Sequence, residues 1–159
     1  MSNEFINKEI DEIMEDKSFD FPQNTAMSSA WILGNFKGTN LKVLKMSKDF
    51  SLTDFFVIGS AQNSTQSKAM ADEICFQLKR YNMEARSTES DQNAEWTLLD
   101  FGDIIVHIFI EHARSTYDLE SLWSNSTEVE IPQEYYFERE GDLEMNSPNL
   151  SGKSDKEYF

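Results

Sequence analysis

Residues 100–109 read Asp-Phe-Gly-Asp-Ile-Ile-Val-His-Ile-Phe, and the fold turns on how that stretch is taken. Asp100-Phe101-Gly102 spells the tripeptide that holds magnesium in protein kinases, with His107 behind it as a second candidate ligand. Phosphoryl transfer of that kind also needs a glycine-rich phosphate loop, a strand lysine and a His-Arg-Asp catalytic loop, and none of these is in the sequence. The competing reading needs nothing further. Trp96 to Leu99 and Ile104 to Phe109 are β-prone runs, and the aspartates and glycine between them supply turn conformations that β-branched residues disfavour. Residues 100–103 are therefore predicted to be a hairpin corner. The strand after it is apolar on both faces, with Ile104, Val106 and Ile108 on one and Ile105, His107 and Phe109 on the other.

Upstream, Asp54-Phe55-Phe56-Val57-Ile58-Gly59 is another continuous apolar run and predicts a strand buried on both faces. Leu41 to Met46 alternates instead, Leu41, Val43 and Leu44 against Lys42 and Lys45, and predicts a first, partly exposed strand. Ala26 to Phe36 predicts a helix with Ala30, Leu33 and Phe36 on one side. Asn63 or Ser64 can cap a second helix reaching about Tyr81, with Met70, Ala71, Ile74, Cys75 and Leu78 toward the core. A short strand near Met83 to Ser87 would close a right-handed strand–helix–strand unit. Downstream, Ser115-Thr116-Tyr117-Asp118 fits the serine-x-x-acid capping pattern and predicts a helix with Leu119, Leu122 and Trp123 on one face, ending near Ser126. The changing periodicity predicts one α/β domain with a mixed sheet of about five strands flanked by helices.

A chain of 159 residues has room for one ordinary domain and for extensions at both ends. Its net charge of −15 is unevenly spread. Residues 1–23 carry seven acids and two bases, net −5; residues 24–127 carry thirteen and nine, net −4; residues 128–159 carry nine and three, net −6. The middle segment is the expected domain. Residues 1–23 form an acidic extension in which Ile6, Ile10, Ile13 and Met14 stand at helical spacing, a short helix too isolated to be stable alone. Residues 128–159 contain Pro132, Pro148, Gly141 and Gly152 without a sustained hydrophobic period, and are expected to be a largely disordered tail. Tyr135, Tyr136 and Phe137 are the exception, able to dock locally. No apolar run is long enough to span a bilayer and the acidic N-terminus is unlike a targeting peptide, so the cytoplasm is expected, with no membrane partner. Cys75 is the only cysteine and reads as a small core hydrophobe. So acidic a chain lacks the basic footprint of a nucleic-acid binder and suits a basic partner.

Candidate chemistry is sparse. His107 could be a ligand or general base, but the nearest further ligands, Asp103, Glu111 and His112, match no compact metal motif; the plainer reading is a hydrogen-bonded histidine at a sheet edge or interface. Gly59-Ser60 after a buried strand resembles the Gly-Ser turn of nucleotidyltransferases, yet the strand carboxylates that hold magnesium there are missing. Asp72 and Glu73 are adjacent on a helix and diverge. Trp96 and Trp123 are either core packing or anchors for a partner. Asp100, Asp103, Asp118 and Glu120 most simply serve turns, caps and solvated positions.

Several blocks taken together closely resemble the ribosomal silencing factor, or Iojap-like, family. They are Leu52 to Ile58, Asn63-Ser64, Ala69 to Asp72, Glu95-Trp96-Thr97-Leu98-Leu99-Asp100-Phe101-Gly102-Asp103-Ile104-Ile105-Val106-His107-Ile108-Phe109, and Tyr117-Asp118-Leu119-Glu120-Ser121-Leu122-Trp123. The resemblance covers about residues 26–124. It implies an α/β domain of nucleotidyltransferase-like topology that is not an enzyme and uses no cofactor or metal. It implies binding to the large ribosomal subunit through that subunit's fourteenth protein, a block on joining of the small subunit, and in many members a homodimer. The chain departs from the family pattern at Gln62, Gln66, Glu89-Ser90 and Thr116. The residues expected to form or support the docking surface are Trp96, Asp100, Asp103, His107, Tyr117, Glu120 and Trp123: aromatics for desolvated contact, carboxylates for lysines and arginines. Two alternatives stand beside this, a nucleotidyltransferase-like or metal-dependent enzyme using Gly59-Ser60 and His107, and an acidic adaptor acting through its tail.

Overall fold

The computed structural model describes residues 2–50, 52–91, 93–116 and 124–137. At its centre β2 (Phe55–Ala61) and β5 (Ile104–Ile110) run parallel, Phe55 aligned with Ile104 and Ala61 with Ile110. Every residue of both strands is buried. A parallel pair covered on both faces needs side chains apolar on both faces, which is why these two runs do not alternate.

β4 (Trp96–Asp100) returns antiparallel along β5, with Trp96 opposite Phe109 and Asp100 opposite Ile105. The corner is the predicted hairpin turn. Gly102 has φ of +89°, and its N–H donates to Asp100 Oδ1 at 2.8 Å, while the Phe101 N–H donates to the Ile104 carbonyl at 3.0 Å. Glycine takes that left-handed conformation without steric cost.

β1 (Thr39–Met46) pairs antiparallel with β2 on its other side. β6 (Ser126–Val129) pairs with β1, and β3 (Ser87–Ser90) with β4, giving the order β3-β4-β5-β2-β1-β6 among the described residues. The strand expected near Met83 to Ser87 thus begins where the expectation ended it. It runs parallel to β2 but with β4 and β5 between them, at the sheet edge. Met83 is used for packing instead: its sulfur lies 3.7 Å from the Thr25 hydroxyl and its N–H closes the preceding helix on the Leu78 carbonyl.

Among the described residues three α-helices lie on one side of the sheet, two against the strands and the N-terminal one against those two helices. α2 (Gln23–Asn35) is buried from Thr25 through Gly34, because it is enclosed by the sheet, both other helices and the C-terminal segment. α3 (Ser64–Arg80) starts at Asn63, whose side chain accepts from the Gln66 N–H at 2.8 Å; Gln66 in turn accepts from the Gln62 N–H and donates to the Phe36 carbonyl, each at 2.8 Å. α1 (Asn3–Glu15) is the helix that the isoleucine spacing predicts, and it is not isolated. Ile6, Ile10 and Ile13 enter the main core beside α2, Gln77 of α3 donates to Asn7 at 2.7 Å, and Asp11 takes Arg80 at 3.0 Å and the Tyr81 hydroxyl. Spacing showed the helix; its partners, α2 about twenty and α3 about seventy positions downstream, are a matter of tertiary structure.

β6 crosses the boundary that charge suggested at residue 128. Its short run offers little hydrophobic signal, but backbone pairing to β1 and the packing of Val129 and Ile131 on the core hold it. Tyr135 is buried against α2, where Asn35 Nδ2 donates to its carbonyl at 2.8 Å. The helix expected after Ser115 falls mostly on residues 117–123, outside the described residues, as does the tail from 138 onward. Among the described residues no helix is long and apolar enough to cross a membrane.

Candidate docking face

The sheet's two faces carry separate cores. Toward the helices stand Val57, Val106, Ile108 and Leu99 with the helical residues; on the opposite face Leu44, Met46, Phe56, Ile58, Ile105 and Phe109 pack with Phe50, Trp96 and Leu98. Period-two alternation along β2, β4 and β5 makes this division.

His107 sits at the centre of the second face among rings. Its imidazole stacks on Phe56 at 5.1 Å between centroids, on Trp96 at 5.9 Å and on Phe109 at 6.1 Å. Trp96 Nε1 donates to His107 Nδ1 at 3.0 Å. Indole nitrogen is only a donor, so Nδ1 must supply a lone pair and the ring proton must be on Nε2. Burial pushes the His107 pKa down to about 4, which keeps the ring neutral at pH 7. The remaining Nε2–H is buried without a hydrogen-bond partner. Its one lone pair being taken, this histidine has none to offer a metal or a substrate proton.

The other proposed ligands do not gather round it. Asp103 precedes the start of β5 and Glu111 follows its end, about 25 Å apart at strand rise, and His112 pairs with Glu95 at 2.9 Å. Nor is there a Gly59-Ser60 turn. Both residues lie within β2, because parallel pairing with β5 continues through Ala61. Gly59 is a packing glycine there: a methyl carbon on it would meet Leu33 Cδ1 at 2.9 Å and Leu41 Cδ2 at 3.1 Å. Ser60 is buried and accepts a 2.7 Å hydrogen bond from Arg114 Nη1. The nucleotidyltransferase-like reading loses both of its named groups on these geometries.

Of the residues singled out in the sequence, Trp96, His107 and Asp100 share one face of the sheet, Trp96 and Asp100 at opposite ends of β4. Asp100 is the turn residue of the plainer reading, its carboxylate 3.3 Å from Arg86 and bonded to the Gly102 N–H. Asp103 is exposed in the same turn, and its carbonyl accepts from the N–H groups of Asp54 and Phe55. Tyr117, Glu120 and Trp123 lie outside the described residues. Phe109 was readable as a member of this face from its period-two relation to His107, whereas Phe56 joins it through the parallel register that sets it beside Ile105. Ser60 and Arg114 were not, since nothing in their sequence neighbourhood announces that they meet.

Residues 20–157 match the family model described as ribosomal silencing factor during starvation. A protein named ribosomal silencing factor from Haemophilus influenzae is 35% identical over 92 residues, 58% of this chain and 90% of its own. The chloroplastic protein Iojap of Zea mays is 34% identical over 107 residues, 67% of this chain but only 46% of its own length. A crystal structure from Bacillus halodurans superposes with a TM-score of 0.55 at 32% identity, covering 67% of this chain and 94% of that one.

Proposed function

This chain belongs to the ribosomal silencing factor family, and from that premise we propose that it docks on the large ribosomal subunit and represses translation by occupying space that the small subunit needs. In this reading the face built round Trp96 and His107, with Asp103 at the hairpin corner, is the docking surface, and a basic protein of the large subunit, its fourteenth, is the partner. Obstruction requires no bond to be made or broken. The observation that carries the reading beyond family membership is the His107 ring: buried, neutral, stacked on and bonded to the partly exposed Trp96, it holds that indole rigidly in place and performs no proton transfer. Aromatic surface at the centre of an interface supplies contact area at low entropic cost, while a net charge of −15 speeds encounter with a basic partner. Action in the cytoplasm, and as a homodimer, belongs to the same proposal.

The test is sucrose-gradient sedimentation of the full chain with separated subunits, followed by light scattering of subunit joining. Migration with the large subunit and slowed joining are expected. Undiminished joining with the large subunit saturated refutes the reading.

A further inference from the structure

Arg114 stands on the short 3-10 turn Glu111–Thr116 that follows β5, and it folds back over the aromatic face to reach Ser60. Ser60 is only 1% exposed, and its hydroxyl accepts one of the five N–H bonds a guanidinium can donate. Burial pulls the Arg114 pKa down to about 10, which leaves the group charged at neutral pH but marks how far it has been removed from water. The chain holds 29 acidic residues against 14 basic ones, yet among the described residues no carboxylate comes within 4.0 Å of this cation. Of the described arginines, Arg80 and Arg86 each have one, as do Lys42, Lys68 and Lys79.

The register fixes its surroundings. Ser60 is aligned with Phe109, and Phe109 with Trp96, so the guanidinium is tethered to the row of the sheet that holds both rings. His107, whose Nε2–H lacks an acceptor, is one step along the same face of β5, about 7 Å away at strand rise. Glu95 beside Trp96 gives its carboxylate to His112, and Glu111, on the same turn as Arg114, forms no ion pair with it.

We infer that Arg114 is the anion receptor of the docking face, held by Ser60 so that its fork receives one carboxylate from a protein partner. The inference rests on the docking reading and names the chemistry it needs. Planar guanidinium pairs carboxylate in a bidentate manner, and a partly desolvated cation without a counter-ion gains most from one. An RNA phosphate offers similar geometry but arrives with a polyanion, which a chain of net charge −15 repels. A single aspartate, glutamate or chain terminus on an otherwise basic protein does not.

The experiment has two arms on the full chain. The first follows the Arg114 guanidinium by NMR during titration with sodium acetate, using sodium chloride at equal ionic strength as control. A saturable shift with acetate alone is expected; equal responses to both salts overturn the receptor, whatever the ribosome does. The second measures binding to purified large subunits over a range of salt for wild type, Arg114→Lys and Arg114→Met, with melting of each free protein. Loss of roughly 30-fold or more in affinity is expected for Arg114→Met and a smaller loss for Arg114→Lys, with the free variants melting no lower than wild type. Wild-type affinity in Arg114→Met, or a lowered melting temperature that accounts for the loss, overturns the inference. A salt slope that falls by about 0.7–0.9 in Arg114→Met assigns the contact to an RNA phosphate and overturns the carboxylate. Failure of wild type itself to bind, with the acetate shift intact, removes the docking reading and the protein partner but leaves the receptor.

Discussion

Replacing Gly34 by alanine sets two effects of opposite sign against each other. Within a helix alanine is favoured over glycine by about 1 kcal/mol, so propensity alone predicts a more stable protein. The added carbon, however, would lie 2.2 Å from the Tyr135 carbonyl oxygen and 3.0 Å from its carbon. Both are backbone atoms, so the segment from Gln133 to Phe137 must lift. Lifting breaks the Phe137 N–H to Gly34 carbonyl bond of 3.0 Å and the Asn35 Nδ2 to Tyr135 carbonyl bond of 2.8 Å, about 1 kcal/mol each. It also exposes Tyr135, about 2 kcal/mol of apolar burial, and separates Phe137 from Lys37, now 5.3 Å over its ring. Regained freedom of the released residues returns part of this total. The expected net effect is destabilisation by about 1–2 kcal/mol, read as a lower urea midpoint, together with faster amide exchange at Phe137. A variant stabilised by about 1 kcal/mol with Phe137 still protected would refute the account of how this segment docks.

Two further outcomes follow from burial. Ile10 is fully buried where α1 meets the core, so Ile10→Ala is expected to cost about 3 kcal/mol in urea unfolding, whereas a cost under about 0.5 kcal/mol would mean that α1 does not pack as described. His107 has its folded pKa pushed from 6.5 down to about 4; the stability gained by keeping it neutral is complete above pH 6.5 and is lost as pH falls toward 4, up to about 3 kcal/mol. The same loss in His107→Gln would assign that acid sensitivity to other groups.

The central hairpin and both buried strands were legible because their signals are local. An apolar run without alternation demands cover on two faces, and an Asp-Phe-Gly-Asp between two such runs has little to do but turn. What sequence did not reveal is what depends on a distant partner. Ile6, Ile10 and Ile13 announce a helix but not that α2 and α3 wait for it. Ser126 to Val129 has almost no hydrophobic signal, and becomes a strand because β1 offers a free edge. Gly59-Ser60 looked like a turn since glycine usually marks one; here glycine admits Leu33 and Leu41, a reason visible only once α2 is packed. The candidate face was legible in part for the same reason. Trp96 and His107 stand on one face of adjacent strands of a single hairpin, Trp96 opposite Phe109 and His107 opposite Leu98, whereas Arg114 and Ser60 meet across 54 positions.

Among the described residues each side of the sheet buries one polar side-chain atom without a hydrogen-bond partner, Ser28 Oγ in α2 and His107 Nε2 among the rings, and the chemistry of the second bears on binding against catalysis. On the helix side Thr25, Ser29 and Gln77 are buried with hydrogen-bond partners. On the aromatic side His107 buries an N–H without an acceptor, a penalty of about 1–3 kcal/mol, and Arg114 carries a charge into a half-dry site where, among the described residues, only a hydroxyl meets it. Apolar residues of similar volume at these positions would remove both penalties. A catalytic histidine would repay such a cost with a free lone pair and a pKa near the working pH; His107 has neither, because Trp96 occupies the one and burial displaces the other. His107 Nε2 is sealed from solvent, so the half-buried Arg114 fork is the donor of this face that an acceptor brought from outside would reach.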